Sequence, residues 1–306
     1  MTGMGQALDG YLDLRRGLGF KLARDEKLLR QYIAWAEDRG AVTVTADDAL
    51  AWAVLPGREA SRWQRTRLSV VRGFARYLAT LDPAAEIPPS GVLPAGRRRA
   101  VPYLYSDAGI AALMAQARHL RTRLRPATFT VLAGLLVVTG VRIGEAIALD
   151  DSDFDPERQL LLVRNAKFGR DRLLPLHPSA AAAVQDYRDF RDQVFPRPVS
   201  EALLVSSTGT RLRHDNVSVT FTRMARQAGL APRPGGARPR IHDARHSFAV
   251  ATLLGWLRDG VSVAERLPLL SAYLGHADPA DTFWYLQASP ELLAEAARRL
   301  DPGDPR

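Results

Sequence analysis

The stretch PAAEIPPSGVLPAGRRRAVP, residues 83–102, constrains the fold of this chain more than any other segment. Five prolines and two glycines in these positions rule out a continuous helix or strand, because proline fixes φ and removes a backbone donor. The chain is thereby cut into a shorter front part and a longer back part, each of ordinary domain size. The expected division is a helical domain at 1–85, a basic linker at 86–102 and a mixed α/β domain at 103–306 that ends in a helix. Arg97, Arg98 and Arg99 in the linker either follow a nucleic-acid backbone or are simply solvated.

The front part reads as all-helical. Leu28, Leu29, Tyr32, Ile33 and Trp35 have amphipathic spacing, and Gly40 closes that helix. Thr45 opens a second helix, with Asp47 and Asp48 in its first turn. Ser61-Arg-Trp-Gln64 has the form of a capping box for a third helix that reaches about Leu81. On that helix Arg62, Arg65, Arg72 and Arg76 share one narrow stripe, while Trp63, Val70, Val71, Phe74, Tyr77 and Leu78 share the opposite face. Arg67 falls on the apolar side. The stripe suits contact with a phosphate backbone, the alternative being a solvated polar face. Solvated faces usually mix signs, and this one has no acidic residue between Ser61 and Leu81.

Charge points the same way. The chain carries 42 basic and 33 acidic residues, a net of +9. Such an excess favours an anionic polymer as partner, since each neutralised phosphate releases counterions. Only Lys21, Lys27 and Lys167 are lysines, so a lysine at a suggestive position carries more weight than usual. With no cysteine, disulfides and thiolate chemistry are excluded. The longest uncharged run, Pro126 to Val141, is too short for a membrane span and reads as a buried helix. No membrane partner is expected. The N-terminus shows no basic region followed by an apolar run, so a cytoplasmic location is expected.

The back part mixes periods. Helices are expected at about 106–118 and 126–139, the latter stopped by Gly140. From Phe154 to Leu176, short apolar runs alternate with turns, which predicts a small antiparallel meander. Pro178 starts an alanine-rich helix, and helices dominate from there on. The fold class expected is mainly α with a small antiparallel β-sheet. There is no GxxxxGK[ST] loop, no GxGxxG after a strand and no GxSxG elbow, which removes most support for ATP-driven, Rossmann-type and serine-hydrolase chemistry.

What remains is a set of cationic and phenolic groups at element edges. Arg142 follows Gly140, and Glu145 lies one turn later, where it could hold Arg142 from behind. Lys167 lies in a turn between two predicted strands. His242 and Arg245 are three apart on one helical face, His276 follows Gly275, and Tyr285 comes nine residues later. Taken singly, each has an ordinary structural reading. His246, four after His242, gives a metal-ligand spacing, but Asp243 stands where a zinc hydrolase would carry Glu and no third ligand is evident, so no metal is expected. His119, His177 and His214 read as surface residues, and Trp284 as packing.

The ordered set, carried by TGVRIGEAIAL, AKFGRDRLLPL, HDARHSFA and LGHADPADTFWY, resembles the tyrosine recombinase (phage integrase-like) family over residues 102–287. The helical front part matches that family's SAM-like core-binding domain in size and kind. The resemblance implies a DNA strand transferase of mobile-element or chromosome-resolution type, with no cofactor. Arg142 and Arg245 would clamp the scissile phosphate, His276 would add a hydrogen bond and Tyr285 would attack. The chemistry is consistent on its own terms. Resealing DNA without ATP requires a covalent enzyme–phosphate bond, fixed arginine forks suit the transition-state charge, and a lysine near other cations can release a proton to the leaving oxygen. His242 would either move the Tyr285 proton or orient the phosphate.

By resemblance, the partners are double-stranded DNA and three further recombinase subunits. These form a homo-tetramer, or a hetero-tetramer with sister recombinases, on paired sites. Three other readings stay open: a catalytically silent DNA-binding accessory, a type IB topoisomerase-like relaxing enzyme and a metal-dependent hydrolase. Leu292, Leu293, Ala296, Ala297 and Leu300 form an apolar stripe in the tail. It is read as docking on a neighbouring protomer, the alternative being that it covers its own core.

Overall fold

The computed structural model describes residues 3–55, 62–94, 102–164, 171–232 and 238–276, together with Thr282, Leu292, Ala294 and Arg298. Lys167, Tyr285 and Arg97 to Arg99 lie outside the described residues. The chain forms two compact units, Met1–Arg99 and Ala100–Arg306.

The first unit is built from α1 (Met4–Gly17), α2 (Ala23–Glu37), α3 (Ala46–Val54) and α4 (Arg62–Leu78). Thr45 caps α3 as its sequence predicts, its hydroxyl oxygen accepting from the Asp48 amide at 3.1 Å. Leu8, Leu12, Leu29, Tyr32, Val71 and Phe74 form its dry centre. Arg67, the residue out of pattern on α4, is 9% exposed. Its guanidinium lies 3.6 Å over the Trp52 ring and donates to the Trp52 carbonyl at 2.7 Å, so the side chain is held inside the unit.

Residues 83–94 belong to this unit's surface, although composition reads them as the approach to a linker. The Glu86 amide donates to the Val44 carbonyl at 2.8 Å, and Ala85 and Leu93 pack on the core. Two arginines of the predicted stripe hold the rest. Arg72 donates to the Pro88 and Pro89 carbonyls, both at 2.7 Å, and Arg65 donates to the Pro94 carbonyl at 3.0 Å. Arg62 and Arg76 are exposed.

The second unit begins with α5 (Asp107–Ala117) and α6 (Arg125–Thr139). The uncharged run is α6, whose Leu132, Leu135 and Leu136 are buried at the centre of the unit. Among the described residues, no helix is long and apolar enough to cross a membrane. Gly140 terminates α6 at φ +62, and the short α7 (Ile143–Ala148) follows. The meander is a three-stranded antiparallel sheet in the order β1 (Phe154–Asp155), β2 (Leu160–Val163), β3 (Arg172–Pro175). Phe154 pairs with Leu161 and Leu161 with Leu174, so one buried row crosses all three strands. Helices α8 (Pro178–Val194), α9 (His214–Gln227), α10 (Asp243–Arg258) and α11 (Val263–Leu274) follow.

Leu292 is 2% exposed and packs with Leu253, Leu267, Leu270 and Leu274 of the same chain. At this position the tail covers its own core, and the docking on a neighbour read from the sequence does not hold for Leu292. The other four residues of that stripe lie outside the described residues.

Candidate active site

The site is gathered at the C-terminal ends of α6 and α11. Both helices stop at a glycine in the left-handed region, Gly140 at φ +62 and Gly275 at φ +68. Neither glycine can gain a side chain cheaply. A Cβ on Gly140 would stand 2.6 Å from Phe248 Cδ1, and one on Gly275 would stand 2.9 Å from Arg172 Nη1. The chain thus turns sharply at both ends and leaves main-chain carbonyls as acceptors.

Arginines take those acceptors. Arg245, 2% exposed on the first turn of α10, donates to the Gly140 carbonyl at 2.8 Å and to the Leu274 carbonyl at 2.6 Å. Arg142, at the N-terminus of α7, donates to the Gly275 carbonyl at 3.0 Å. The two guanidinium groups therefore anchor on consecutive residues of one helix end, immediately before His276. His276 Nδ1 lies 2.7 Å from the hydroxyl of Thr282, which is fully buried. The sequence places Arg142, Arg245 and His276 in three distant segments, and the structure brings these segments together.

Glu145 does what its spacing predicts. Its carboxylate accepts from the Arg142 amide at 3.0 Å and from Arg142 Nη1 at 2.8 Å. It also accepts from Arg172, Nη2 to Oε2 at 2.7 Å and Nη1 to Oε1 at 3.2 Å. Burial by itself would raise the carboxyl, but the bonds to Arg172 and then to Arg142 outweigh it and hold the carboxyl at about 2. Arg172 further donates from Nε to the Tyr273 carbonyl at 2.9 Å.

Sequence reasoning passed over Arg172, because Leu173 and Leu174 are alike and do not show which face of the strand is buried. In β3 Leu174 is buried and Leu173 is 57% exposed, so Arg172 shares the inward face of Leu174. An inward charge on a strand requires an acidic or carbonyl partner elsewhere in the fold. Thr282 has no sequence signature either.

His242 lies at the start of α10, exposed, beside Arg245 in the chain. Partial desolvation pushes its imidazole below the usual value, and the positive charge of Arg245 adds to this. The His246 ring meets it edge-on at 5.0 Å and is buried. Asp243, fully buried, is held by Arg240 and caps the turn before α10. Among the described residues, no three His, Asp or Glu side chains are arranged to hold a metal ion. His119, His177 and His214 are exposed, and His177 caps α8 through Ser179. Lys167 belongs to the connection between β2 and β3, and Tyr285 follows Thr282 by three residues in the chain.

Two guanidinium groups, those of Arg142 and Arg172, share the Glu145 carboxylate, and Arg245 stands on main-chain carbonyls of the same two helix ends. Arginine forks suit the oxygens of a phosphodiester in particular.

Comparison with known proteins agrees. Residues 107–291 match the phage integrase family. The protein y4rB of Sinorhizobium fredii, named as an integrase/recombinase, is 44% identical over 308 residues, covering 98% of both chains. The integrase of transposon Tn1549, solved with transposon right end DNA, superposes with a TM-score of 0.66 at 15% identity, over 96% of this chain and 99% of that one. A lambda integrase tetramer on a Holliday junction gives 0.62 at 19% identity, over 92% and 76%.

Proposed function

Because the chain belongs to the phage integrase (tyrosine recombinase) family, whose members transfer DNA strands, we propose that it is a site-specific recombinase working through a 3′-phosphotyrosyl intermediate. The observation that carries this reading is the anchoring of Arg142 and Arg245 on the consecutive carbonyls of Gly275 and Leu274, next to His276. Two fixed forks and an imidazole at one helix end suit a pentacoordinate phosphorus, whose non-bridging oxygens gain charge in the transition state.

In the proposed reaction the Tyr285 oxygen attacks phosphorus and the bond to the 5′ oxygen breaks. Lys167 supplies the proton to that leaving oxygen, and His242 assists the departure of the phenol proton or orients the phosphate. The phosphotyrosyl bond conserves the energy of the phosphodiester, so a 5′-hydroxyl from a second duplex reverses the steps without ATP. Arg62, Arg76 and Arg97 to Arg99 would follow the DNA backbone. The active assembly would be a tetramer on two paired sites; the lambda integrase has been solved as a tetramer bound to a Holliday junction.

The test is capture from a pool of nicked random-sequence duplexes, which trap cleavage because the short fragment diffuses away. A detergent-stable protein–DNA adduct is expected with wild type and none with Tyr285→Phe. An adduct that survives in Tyr285→Phe, or supercoil relaxation by isolated monomers with no exchange between sites, would overturn the proposal.

A further inference from the structure

We propose that Arg172 is a positioning residue for strand transfer, a brace that fixes the Arg142 guanidinium through the Glu145 carboxylate they share. The inference rests on the strand-transfer reading and extends it to a residue outside the expected set.

The bonds form a closed ring. Arg142 donates to Glu145, Glu145 accepts from Arg172, Arg172 donates to the Tyr273 carbonyl, and two residues on the Gly275 carbonyl accepts from Arg142. Oε1 of Glu145 receives both guanidinium groups, at 2.8 Å from Arg142 and 3.2 Å from Arg172. A carboxylate held by Arg142 alone could swing with it, whereas one gripped by a second fork cannot. The Arg172 side chain is 11% exposed, as is that of Glu145, while Arg142 at 26% is the more open member. The ring thus has a buried side and an open side, and the open side presents Arg142. Packing allows no slack, because Gly275 lies so close to Arg172 that a single added carbon would collide with it.

Arg172 also ties two further segments to this ring. It opens β3, five residues after Lys167, and it grips α11 two residues before the turn that carries His276. One side chain therefore ties together Arg142, the start of β3 and the His276 segment.

Arg172→Ala and Arg172→Lys are compared with wild type in single-turnover adduct formation on a duplex recovered from the capture experiment. Lysine keeps the charge and the stem but has no fork, so both variants are expected to slow cleavage by roughly 10²-fold, the scale of a misplaced catalytic group. Leu173→Ala, at the exposed neighbour, is expected to match wild type. The decisive comparison places a methylphosphonate at the scissile position. Its missing non-bridging charge removes what Arg142 stabilises, so the ratio of wild type to variant is expected to fall toward one. A merely structural defect lowers cleavage of both substrates alike, and that outcome overturns the proposal, as does a wild-type rate on the phosphate.

A second measurement needs no turnover. The Glu145 carboxyl, followed by carbon NMR in the full chain, is expected to titrate at higher pH in Arg172→Lys. An unmoved titration overturns the brace even if wild type gives no adduct, a result that by itself removes only the strand-transfer reading.

Discussion

Gly275→Ala tests whether the end of α11 is shaped by Arg172 or only by its own turn. Two costs are expected. Alanine at φ +68 loses about 1–2 kcal/mol in the left-handed region. Its Cβ would also stand 2.9, 3.1 and 3.3 Å from Arg172 Nη1, Cζ and Nε, so the guanidinium must move. Moving it breaks at least one charge-assisted bond, worth about 1.5–3 kcal/mol. Gly229 supplies the control. Its φ is +71 and nothing stands within 4 Å of an added Cβ, so Gly229→Ala carries only the backbone cost. Denaturant unfolding of the full chain is therefore expected to show Gly275→Ala about 1.5–3 kcal/mol worse than Gly229→Ala. Covalent adduct formation should slow in the first variant only. The same substitution made in an Arg172→Ala background has no guanidinium to displace, and its effect should shrink to that of Gly229→Ala. If the two substitutions prove additive, or if Gly275→Ala and Gly229→Ala cost the same, the argument for a tight Arg172 contact fails.

Three further outcomes follow from named groups. The Glu145 carboxyl titrates at about 2 in the fold against an ordinary 4.5, so its contribution is complete above pH 4.5 and is lost as pH falls from there toward 2. The wild-type stability curve should be steeper than that of Glu145→Gln over that interval, by up to about 3 kcal/mol in acid unfolding, and parallel curves would refute the ionised brace. Arg62→Ala should lower the slope of log affinity against log salt by about 1 in DNA binding. Arg67→Ala should leave that slope unchanged while costing about 1–3 kcal/mol of stability, because the Trp52 carbonyl loses its donor. A reduced slope in Arg67→Ala would contradict its assignment to the core. Lys167→Ala should slow cleavage of an ordinary phosphodiester yet recover on a 5′-thio leaving group, which needs little protonation, and a failure to recover would remove Lys167 as proton donor.

Features that depend on short-range pattern were legible in the sequence. The Thr45 cap, the stop at Gly140, the meander between Phe154 and Leu176 and the Arg142–Glu145 pair each follow from residues within one or two turns of each other. The chain falls into two units, Met1–Arg99 and Ala100–Arg306, and the stretch 83–94 packs on the first of them. The proline-rich stretch has few amide donors and therefore reads as a linker, yet its proline carbonyls remain acceptors. Arg65 and Arg72 reach Pro88, Pro89 and Pro94 through those carbonyls. A main-chain acceptor has no sequence signature, so an arginine that uses one looks free. For the same reason the stripe on α4 read as four equivalent cations, whereas the structure leaves two exposed and ties two down. Arg172 was missed because its partners lie on α7 and α11, far from it in the chain.

The choice of partners explains how positive groups can be held rigidly and still act on an anion. Had each arginine been positioned by its own carboxylate, the site would be electrically neutral and would offer a phosphate little. Here Arg245 is shown held by two carbonyls and Arg142 by one, and these sit at helix C-termini, where the aligned peptides already carry partial negative charge. Carbonyls fix direction without cancelling charge. The Glu145 carboxylate is divided between Arg142 and Arg172, so one negative charge orders two cations. A site built this way has its donors in place before substrate arrives, and little of the binding energy of the DNA is needed to arrange them. The two left-handed glycines follow from the same requirement, since each turns its helix end so that the carbonyl faces an arginine, and at Gly275 no larger residue leaves space for the brace behind it.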